Sequence, residues 1–143
     1  MVTKKKEVMS VLSLLIVLIS ITNTYATSKA TEIQRGILPN WQNTSDITVA
    51  LTINNEKAVL STAIEGKRNV NKITAVALLE RRNSNGTYTE IERWDNLISY
   101  SSNLDWTATR YVKKGYTYRF TIIATIYKDG VGETISGSKS TSA

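Results

Sequence analysis

The sequence predicts an all-β fold in which two antiparallel sheets pack face to face. Three observations predict it. Apolar and polar residues alternate with period two through most of the chain after residue 44. Turn residues such as Asn85-Gly86 recur at short intervals between the alternating stretches, and no stretch there has the period of an amphipathic helix. We therefore expect one β-sandwich domain over residues 45–141, a length that suffices for a packed core.

The first two strands are predicted to form a hairpin. In the first strand, alternate apolar residues define an inward face made of Ile47, Val49, Leu51 and Ile53. In the second strand, which ends at Gly66, the inward face consists of Ala58, Leu60, Thr62 and Ile64. The four residues Asn54-Asn55-Glu56-Lys57 between them have the composition of a turn.

The next hairpin joins a regular strand to an irregular one. After a polar loop over residues 67–71, the third strand has an inward face made of Ile73, Ala75, Ala77 and Leu79. Asn83-Ser84-Asn85-Gly86 predicts a tight turn, because Asn and Gly tolerate positive φ. The fourth strand, residues 87–94, loses its alternation near the middle, which indicates a bulge or an edge position. For residues 95–103 we expect a loop or a weak strand.

Three further strands complete the predicted set of seven. Leu104, Trp106 and Ala108 mark the inward face of the fifth strand. The sixth, residues 117–127, is the most regular, and its inward face consists of Tyr118, Phe120, Ile122, Ala124 and Ile126. Lys128-Asp129-Gly130 then predicts a turn into a more polar last strand around residues 133–138.

Seven antiparallel strands at short, regular spacing are typical of an immunoglobulin or fibronectin type III sandwich. The stretch from Gly115 to Phe120 is similar to the tyrosine corner of such domains, so we expect the Tyr118 hydroxyl to bond upstream backbone. Phe120 stands where antibody domains have a cysteine. The chain has no cysteine, and its third strand has no tryptophan. The sequence therefore predicts an Ig-like architecture rather than a true immunoglobulin domain.

The N-terminus has the layout of a secretory signal peptide. Three lysines, Lys4 to Lys6, precede an apolar run over residues 8–21, and the small-residue site Thr24-Tyr25-Ala26 follows. The apolar run is short for a membrane-spanning helix, which needs about 20 residues. We therefore expect residues 1–26 to be a cleaved signal peptide.

Cleavage between Ala26 and Thr27 fits this layout best, and Ala30 offers a second site. A lead segment over residues 27–44 would then precede the sandwich domain. The expected product is secreted and extracellular, free or associated with the cell surface, and has no stable membrane anchor after cleavage. Without cysteine, such a protein has no disulfide and depends on its apolar core for stability.

Several turn and aromatic motifs occur in an order that resembles one group of proteins. They are Pro39-Asn40-Trp41, Asn85-Gly86-Thr87-Tyr88, Trp94, and Lys114-Gly115 ahead of Tyr118. In this order the chain is similar to small secreted Ig-like β-sandwich proteins of Gram-positive bacteria. The resemblance extends over most of the chain after the signal peptide and implies the fold. It implies no catalytic residues, because none is established for that group.

The composition excludes most catalytic chemistry. With no histidine and no cysteine, the chain cannot build a Ser-His-Asp or Cys-His site, or a zinc site of His and Cys. Glu90 and Glu92, expected on one face of a strand, are more simply explained as charges that protect an edge. Neither the serines of residues 99–103 nor Asp129 has the neighbours that catalysis or calcium binding needs. We therefore predict no enzyme activity, no catalytic residues, no metal and no cofactor.

The charge and the exposed aromatic residues point instead to binding. The net charge of +6 falls to +4 without the signal peptide, and the basic residues are scattered, which argues against nucleic acid as a partner. Tyr111 and Tyr116 flank the turn at Gly115, where Lys113 and Lys114 add hydrogen-bond donors. We expect an interaction module whose partner is a protein or a wall glycan. The alternatives are a structural component of a cell wall or coat, or a small hydrolase.

Overall fold

The computed structural model describes residues 34–35 and 40–143. The predicted signal peptide and its cleavage site at Ala26 and Thr27 lie outside these residues. The described residues form strands and no helix. The strands are β1 (Gln34–Arg35), β2 (Thr44–Asn54), β3 (Lys57–Gly66), β4 (Val70–Arg82), β5 (Tyr88–Ser99), β6 (Asn103–Tyr111), β7 (Thr117–Lys128) and β8 (Val131–Ser142).

The strands form two four-stranded sheets, and every pairing is antiparallel. The first sheet has the order β1-β2-β3-β6 and the second the order β5-β4-β7-β8. β2 to β8 are the seven strands that the sequence predicts. The two-residue strand β1 is an addition: it lies within the predicted lead segment and pairs Gln34 with Val49 and Arg35 with Thr48. The all-β, two-sheet prediction is confirmed.

The core lies between the inward faces of the two sheets, as the alternation predicts. Fully buried large side chains come from both sheets, including Leu60 and Ile64 from β3 and Phe120 and Ile122 from β7. Each apolar residue assigned inward in β2, β3, β4 and β7 is buried or packs against this core. At about 25 cal/mol per Å² of apolar surface removed from water, this burial is the main stabilising contribution.

The predicted tight turns are confirmed by their backbone conformation. Asn55 and Glu56, between β2 and β3, have φ of 49° and 63°. Gly86, between β4 and β5, has φ of 84°. Asp129 and Gly130, between β7 and β8, have φ of 52° and 79°. In the β2–β3 and β7–β8 turns both central residues have positive φ, the conformation whose twist matches that of the flanking strands, whereas in the β4–β5 turn Gly86 has positive φ and Asn85 does not.

The bounds of several strands differ from the predicted ones, and β8 runs over Val131–Ser142 rather than around residues 133–138. β4 begins at Val70, which is buried, so the preceding loop is shorter than predicted. β5 continues to Ser99 through a stretch predicted as a loop or weak strand. The pairing of β4 with β5 shifts register between Ala75 and Ala77 and again between Leu79 and Glu80. These bulges break the period of two along β5, so alternation alone could not show how far this edge strand runs.

Tryptophan side chains close the side of the sandwich between β5 and β6. The Trp94 and Trp106 rings meet edge to face with centroids 5.2 Å apart, and the Trp106 centroid lies 6.0 Å from that of Phe120. Trp106 therefore faces inward, as predicted. Outside these rings, Arg110 of β6 and Glu92 of β5 form an ion pair of 3.2 Å across the same gap.

The hydroxyl of Tyr118 makes the bond to upstream backbone that the sequence predicts. It donates to the carbonyl oxygen of Lys113 at 2.9 Å and accepts from the amide of the same residue at 3.0 Å. The ring is buried. The Tyr118 side chain, which comes from the second sheet, thereby fixes the loop that follows β6 of the first sheet.

Candidate functional site

The residues predicted to contact a ligand lie in and beside the β6–β7 loop, residues 112–116, at one end of the sandwich. Its backbone is held by hydrogen bonds at Val112, Lys113, Gly115 and Tyr116. Besides the Tyr118 bonds to Lys113, the Val112 amide donates to the Glu56 carbonyl at 2.8 Å, and the Gly115 amide donates to the Ala143 carbonyl at 3.1 Å. These hydrogen bonds fix the backbone of the loop, and the loop in turn positions its side chains.

The two predicted tyrosines are exposed; Tyr111 lies in the first sheet, and Tyr116 lies in the loop just before the second sheet. Tyr111 ends β6, beside Lys57 of β3, and 75% of its surface is exposed. Tyr116 directly precedes β7 and is 42% exposed. The Arg81 guanidinium carbon lies 4.9 Å from the centroid of the Tyr116 ring. This cation–π contact with β4 orients Tyr116.

An open depression of about 450 Å³ lies beside Tyr116. It is bounded on one side by the β6–β7 loop and on the other by the β4–β5 turn. Its lining residues are Arg82, Asn83, Ser84, Gly115, Tyr116 and Thr117. The lining is rich in hydrogen-bonding groups and has one aromatic ring, whereas a site for an apolar ligand would be mostly hydrophobic.

Basic side chains without an ion-pair partner lie in or beside the two segments that bound this depression, and one of them, Arg82, lines it. Among the described residues, none of Arg81, Arg82, Lys113 and Lys114 takes part in an ion pair. Of the acids at this end, Glu80 binds Arg119 and Glu92 binds Arg110, whereas Glu56 takes part in no ion pair among the described residues. We call these four cations with Tyr111 and Tyr116 the basic aromatic end.

A hydrogen-bonded group on the outer face of the second sheet supports this end. Arg119 binds the Glu80 carboxylate through two nitrogens at 2.8 and 2.9 Å, and Thr121 donates to it at 2.9 Å. The hydrogen bond from Arg119 is the main reason that the pKa of Glu80 lies below its ordinary value, despite partial burial. The Arg119 guanidinium also lies 3.7 Å from the Tyr88 ring centroid. These contacts thereby fix the end of the β4–β5 hairpin that lies next to its turn.

The prediction that Glu90 and Glu92 share one face is wrong. Glu92 is opposite Leu79 and Glu90 is opposite Glu80, and these two neighbours on β4 point to opposite faces. The bulge at Ile91 causes the reversal. Glu90 binds Arg93 at 3.1 Å, while Glu92 binds Arg110. The two carboxylates therefore do not converge on a common substrate.

A polar cluster at the opposite end of the sandwich was not found from the sequence. The Glu133 carboxylate accepts from the amides of Gln42, Asn43 and Thr44 at 2.6 to 2.9 Å, and from the Thr44 hydroxyl at 2.9 Å. Burial raises the pKa of Glu133, but these hydrogen bonds together outweigh it and hold the pKa below its ordinary value. Every bond runs to the chain itself, so the cluster fastens the start of β2 to β8.

Among the described residues, the other polar groups considered as candidates from the sequence have structural roles. The hydroxyls of Ser99 and Ser101 both donate to the Asn103 carbonyl, at 2.6 and 2.9 Å, and so shape the β5–β6 turn. In the described ranges, no three His, Cys, Asp or Glu side chains are grouped as a metal site would need. None of the described residues forms a helix of the length and apolarity needed to cross a bilayer.

Arg81 and Arg82 are the site residues that the sequence reasoning missed. They are adjacent in the sequence and directly precede the Asn83–Gly86 turn, and that position was the available signal. Their relevance depends on the pairing of β4 with β7, which sets Arg81 opposite Tyr118. The contact of Arg81 with Tyr116 therefore joins residues that are far apart in the chain.

Fold and site together define a cysteine-free, two-sheet β-sandwich with one basic aromatic end. The sequence matches no model of a known protein family. It also matches no curated protein.

Proposed function

We propose that this protein is an exported, non-catalytic binding module that takes a wall glycan at its basic aromatic end. The observation that carries the proposal is the Tyr116 ring, which is exposed, oriented by Arg81 and set in the wall of an open depression. A fixed aromatic face in a polar, open depression suits a sugar ring, which has an apolar face and hydroxyls at its rim.

The charges at this end indicate the character of the glycan. Arg81, Arg82, Lys113 and Lys114 offer donors and positive charge, and no unmatched carboxylate lines the depression. A polymer that carries phosphate or carboxylate groups would satisfy these cations better than a neutral one. The expected binding is therefore weakened by salt, because exposed charges are screened.

The fold supports the same class of protein. We propose that the sandwich is of the immunoglobulin or fibronectin type III kind, with β2, β3 and β6 in one sheet and β5, β4, β7 and β8 in the other. Tyr118 near the start of β7, bonded to upstream backbone, supports this assignment. The proposal of export rests on the basic and apolar layout of residues 1–26. The proposed membership of the secreted Gram-positive group rests on the turn and aromatic motifs of the sequence.

Sedimentation with purified cell wall tests the proposed site. We expect the wild-type protein to pellet with the wall, and the Tyr111→Ala/Tyr116→Ala double variant to bind at least tenfold more weakly. Tyr100→Ala is the matched control, because Tyr100 is 81% exposed and lies in the turn at the opposite end of the sandwich. It should bind as the wild type does.

Equal binding by the wild type and the double variant would rule out this site. No binding by any form would contradict the glycan proposal and favour a protein partner. A repeat with Lys113→Gln/Lys114→Gln at low and high salt separates the contributions of charge and ring. We expect these substitutions to weaken binding at low salt and to reduce its dependence on salt.

A further inference from the structure

The β4–β5 turn contains the one Asn-Gly step of the sequence, at Asn85 and Gly86. Both residues are exposed. Asparagine is a thermolabile residue, because the backbone nitrogen of the next residue can attack its side-chain carbonyl carbon. A following glycine has no Cβ and hinders that attack least. Among the asparagines of the chain, Asn85 therefore has the least hindered neighbour for this reaction.

The carbonyl oxygen of the Asn85 side chain is held by two donors from Thr87. The Thr87 amide donates to Asn85 Oδ1 at 3.0 Å, and the Thr87 hydroxyl donates to the same atom at 2.6 Å. These bonds fold the side chain back over its own turn, which includes the Gly86 peptide. They are also directed at the oxygen that becomes negative when a nucleophile adds to Cγ, so they act as an oxyanion hole does.

Asn83 has two effects on this group. Its side-chain amide donates to the Thr87 hydroxyl oxygen at 2.9 Å, and this bond fixes the position of the hydroxyl. Its backbone carbonyl accepts from the Gly86 amide at 3.0 Å, and this bond must open before the Gly86 nitrogen can react. Because an exposed turn opens locally at little cost, the second bond slows the reaction without preventing it.

Arg82 supplies positive charge next to the reacting nitrogen. A Cβ atom added to Gly86 would lie 3.8 Å from Arg82 Nη2. Arg82 takes part in no ion pair among the described residues. A nearby cation favours the deprotonated Gly86 amide, which is the nucleophile, and stabilises the anionic intermediate that follows.

We propose that the β4–β5 turn is a self-modifying site, at which Thr87 and Arg82 promote the deamidation of Asn85. Solvent hydroxide takes the proton of the Gly86 amide, and the nitrogen forms a bond to Asn85 Cγ. The Cγ–Nδ2 bond then breaks, the departing nitrogen takes a proton from water and leaves as ammonia, and a five-membered succinimide remains. Water opens this ring at either carbonyl and leaves an aspartyl or isoaspartyl residue at position 85. The net change consumes one water, releases one ammonia, and oxidises or reduces nothing.

Peptide mapping by mass spectrometry during incubation of the purified protein in mildly alkaline buffer tests the reaction. We expect Asn85 to exchange its NH2 for OH at least tenfold faster than Asn83, which lies in the same turn but precedes Ser84. The rate should rise with pH, because the Gly86 amide must lose its proton. Asn85→Gln is the control at the site, since its longer side chain would have to close a larger ring.

Two pairs of variants test the contribution of the neighbouring groups. Thr87→Ser keeps the hydroxyl and should react as the wild type does, whereas Thr87→Val removes it and should react severalfold more slowly. Arg82→Gln should also slow the reaction severalfold, and Arg82→Lys should restore it, because it keeps the charge. An intact Asn85 after incubation, or equal rates within either pair, would overturn the proposal.

The reaction adds a carboxylate next to Arg82, which lines the depression of the basic aromatic end. Its effect on binding rests on the proposed function. In sedimentation with cell wall, Asn85→Asp should bind about two- to fivefold more weakly than Asn85→Gln, the effect expected of one exposed charge. Equal binding by these two variants would contradict a regulatory effect on the site. Failure of the wild type to bind would contradict the proposed function alone, because the mass measurement decides the reaction without any ligand.

Discussion

The hydroxyl of Tyr118 can be removed without changing the shape of the buried ring. Tyr118→Phe deletes both bonds to Lys113 and leaves its backbone groups without that partner. We expect the free energy of unfolding to fall by about 1 kcal/mol or more, because losing one partner of a buried hydrogen bond also leaves the other unsatisfied. Chemical denaturation of both forms measures this difference.

Tyr111→Phe is the control for this substitution, because the Tyr111 side chain is mostly exposed. Its stability should match that of the wild type. An unchanged denaturation midpoint for Tyr118→Phe would show that the Tyr118 hydroxyl does not contribute to holding the β6–β7 loop.

Glu133 should make stability depend on pH. Its pKa in the folded protein lies below the ordinary value, so the ionised form binds the N–H groups of Gln42, Asn43 and Thr44 more favourably than the protonated form. Its contribution is fully present above the ordinary carboxyl pKa and is lost as the pH falls through the lowered pKa. Glu133→Gln should therefore be less stable than the wild type near neutral pH, with a smaller difference in acid.

Urea denaturation at about pH 7 and about pH 2 measures the two differences. The control is Glu65→Gln, which removes the charge of an exposed glutamate on β3 that takes no part in this cluster. A wild-type advantage over Glu133→Gln that stays constant between these pH values would contradict the proposed role of the ionised carboxylate.

At the level of the strands, Gly137 allows β8 to approach β2 closely. A Cβ atom added there would lie 2.8 Å from Val49 Cγ2 and 3.3 Å from Ile47 Cδ1, both in the buried core. Gly137→Ala should therefore destabilise the protein by about 1–3 kcal/mol, the usual cost of overpacking. Ser138→Ala, on the exposed outer face of the same strand, should change stability by less than about 0.5 kcal/mol. Thermal or chemical denaturation measures both, and equal stabilities would contradict the close approach.

Strands with a regular period of two could be predicted from the sequence, and the bulged strand could not. In β7, residues from Tyr118 to Ile126 alternate without interruption, and the predicted inward face is the observed one. In β5, the bulge at Ile91 reverses the faces, so a rule based on two-residue spacing fails for Glu90 and Glu92. Register is a property of two strands, and the sequence of one strand does not contain it.

At the scale of the molecule, the predicted export defines the mature N-terminus. The basic region, the apolar run and Thr24-Tyr25-Ala26 predict that the secreted form begins at Thr27. N-terminal sequencing of protein recovered from culture medium should identify this residue. Recovery of the chain with Met1 intact from a membrane fraction would contradict the prediction.

The candidate site could also be predicted only in part, because some of its residues are neighbours in the sequence and others meet only in the fold. Tyr111, Lys113, Lys114 and Tyr116 cluster in the sequence around one glycine, and this local pattern was sufficient to select them. The contribution of Arg81 arises because the end of β4 lies beside the start of β7, so that the Arg81 guanidinium lies over the Tyr116 ring. Period and turn composition predict strands and their faces, but they do not specify which strands become neighbours.

The strand order also has a consequence for how the chain reaches its native state. β2–β3, β4–β5 and β7–β8 are hairpins with short turns, whereas β4–β7 and β3–β6 join segments some forty residues or more apart, such as Leu79 with Phe120. Local hairpins close within microseconds, while distant pairings must first overcome the entropy of closing a large loop. The rate-limiting step is therefore expected to be the docking of preformed hairpins through β4–β7, on a time scale of about milliseconds to seconds.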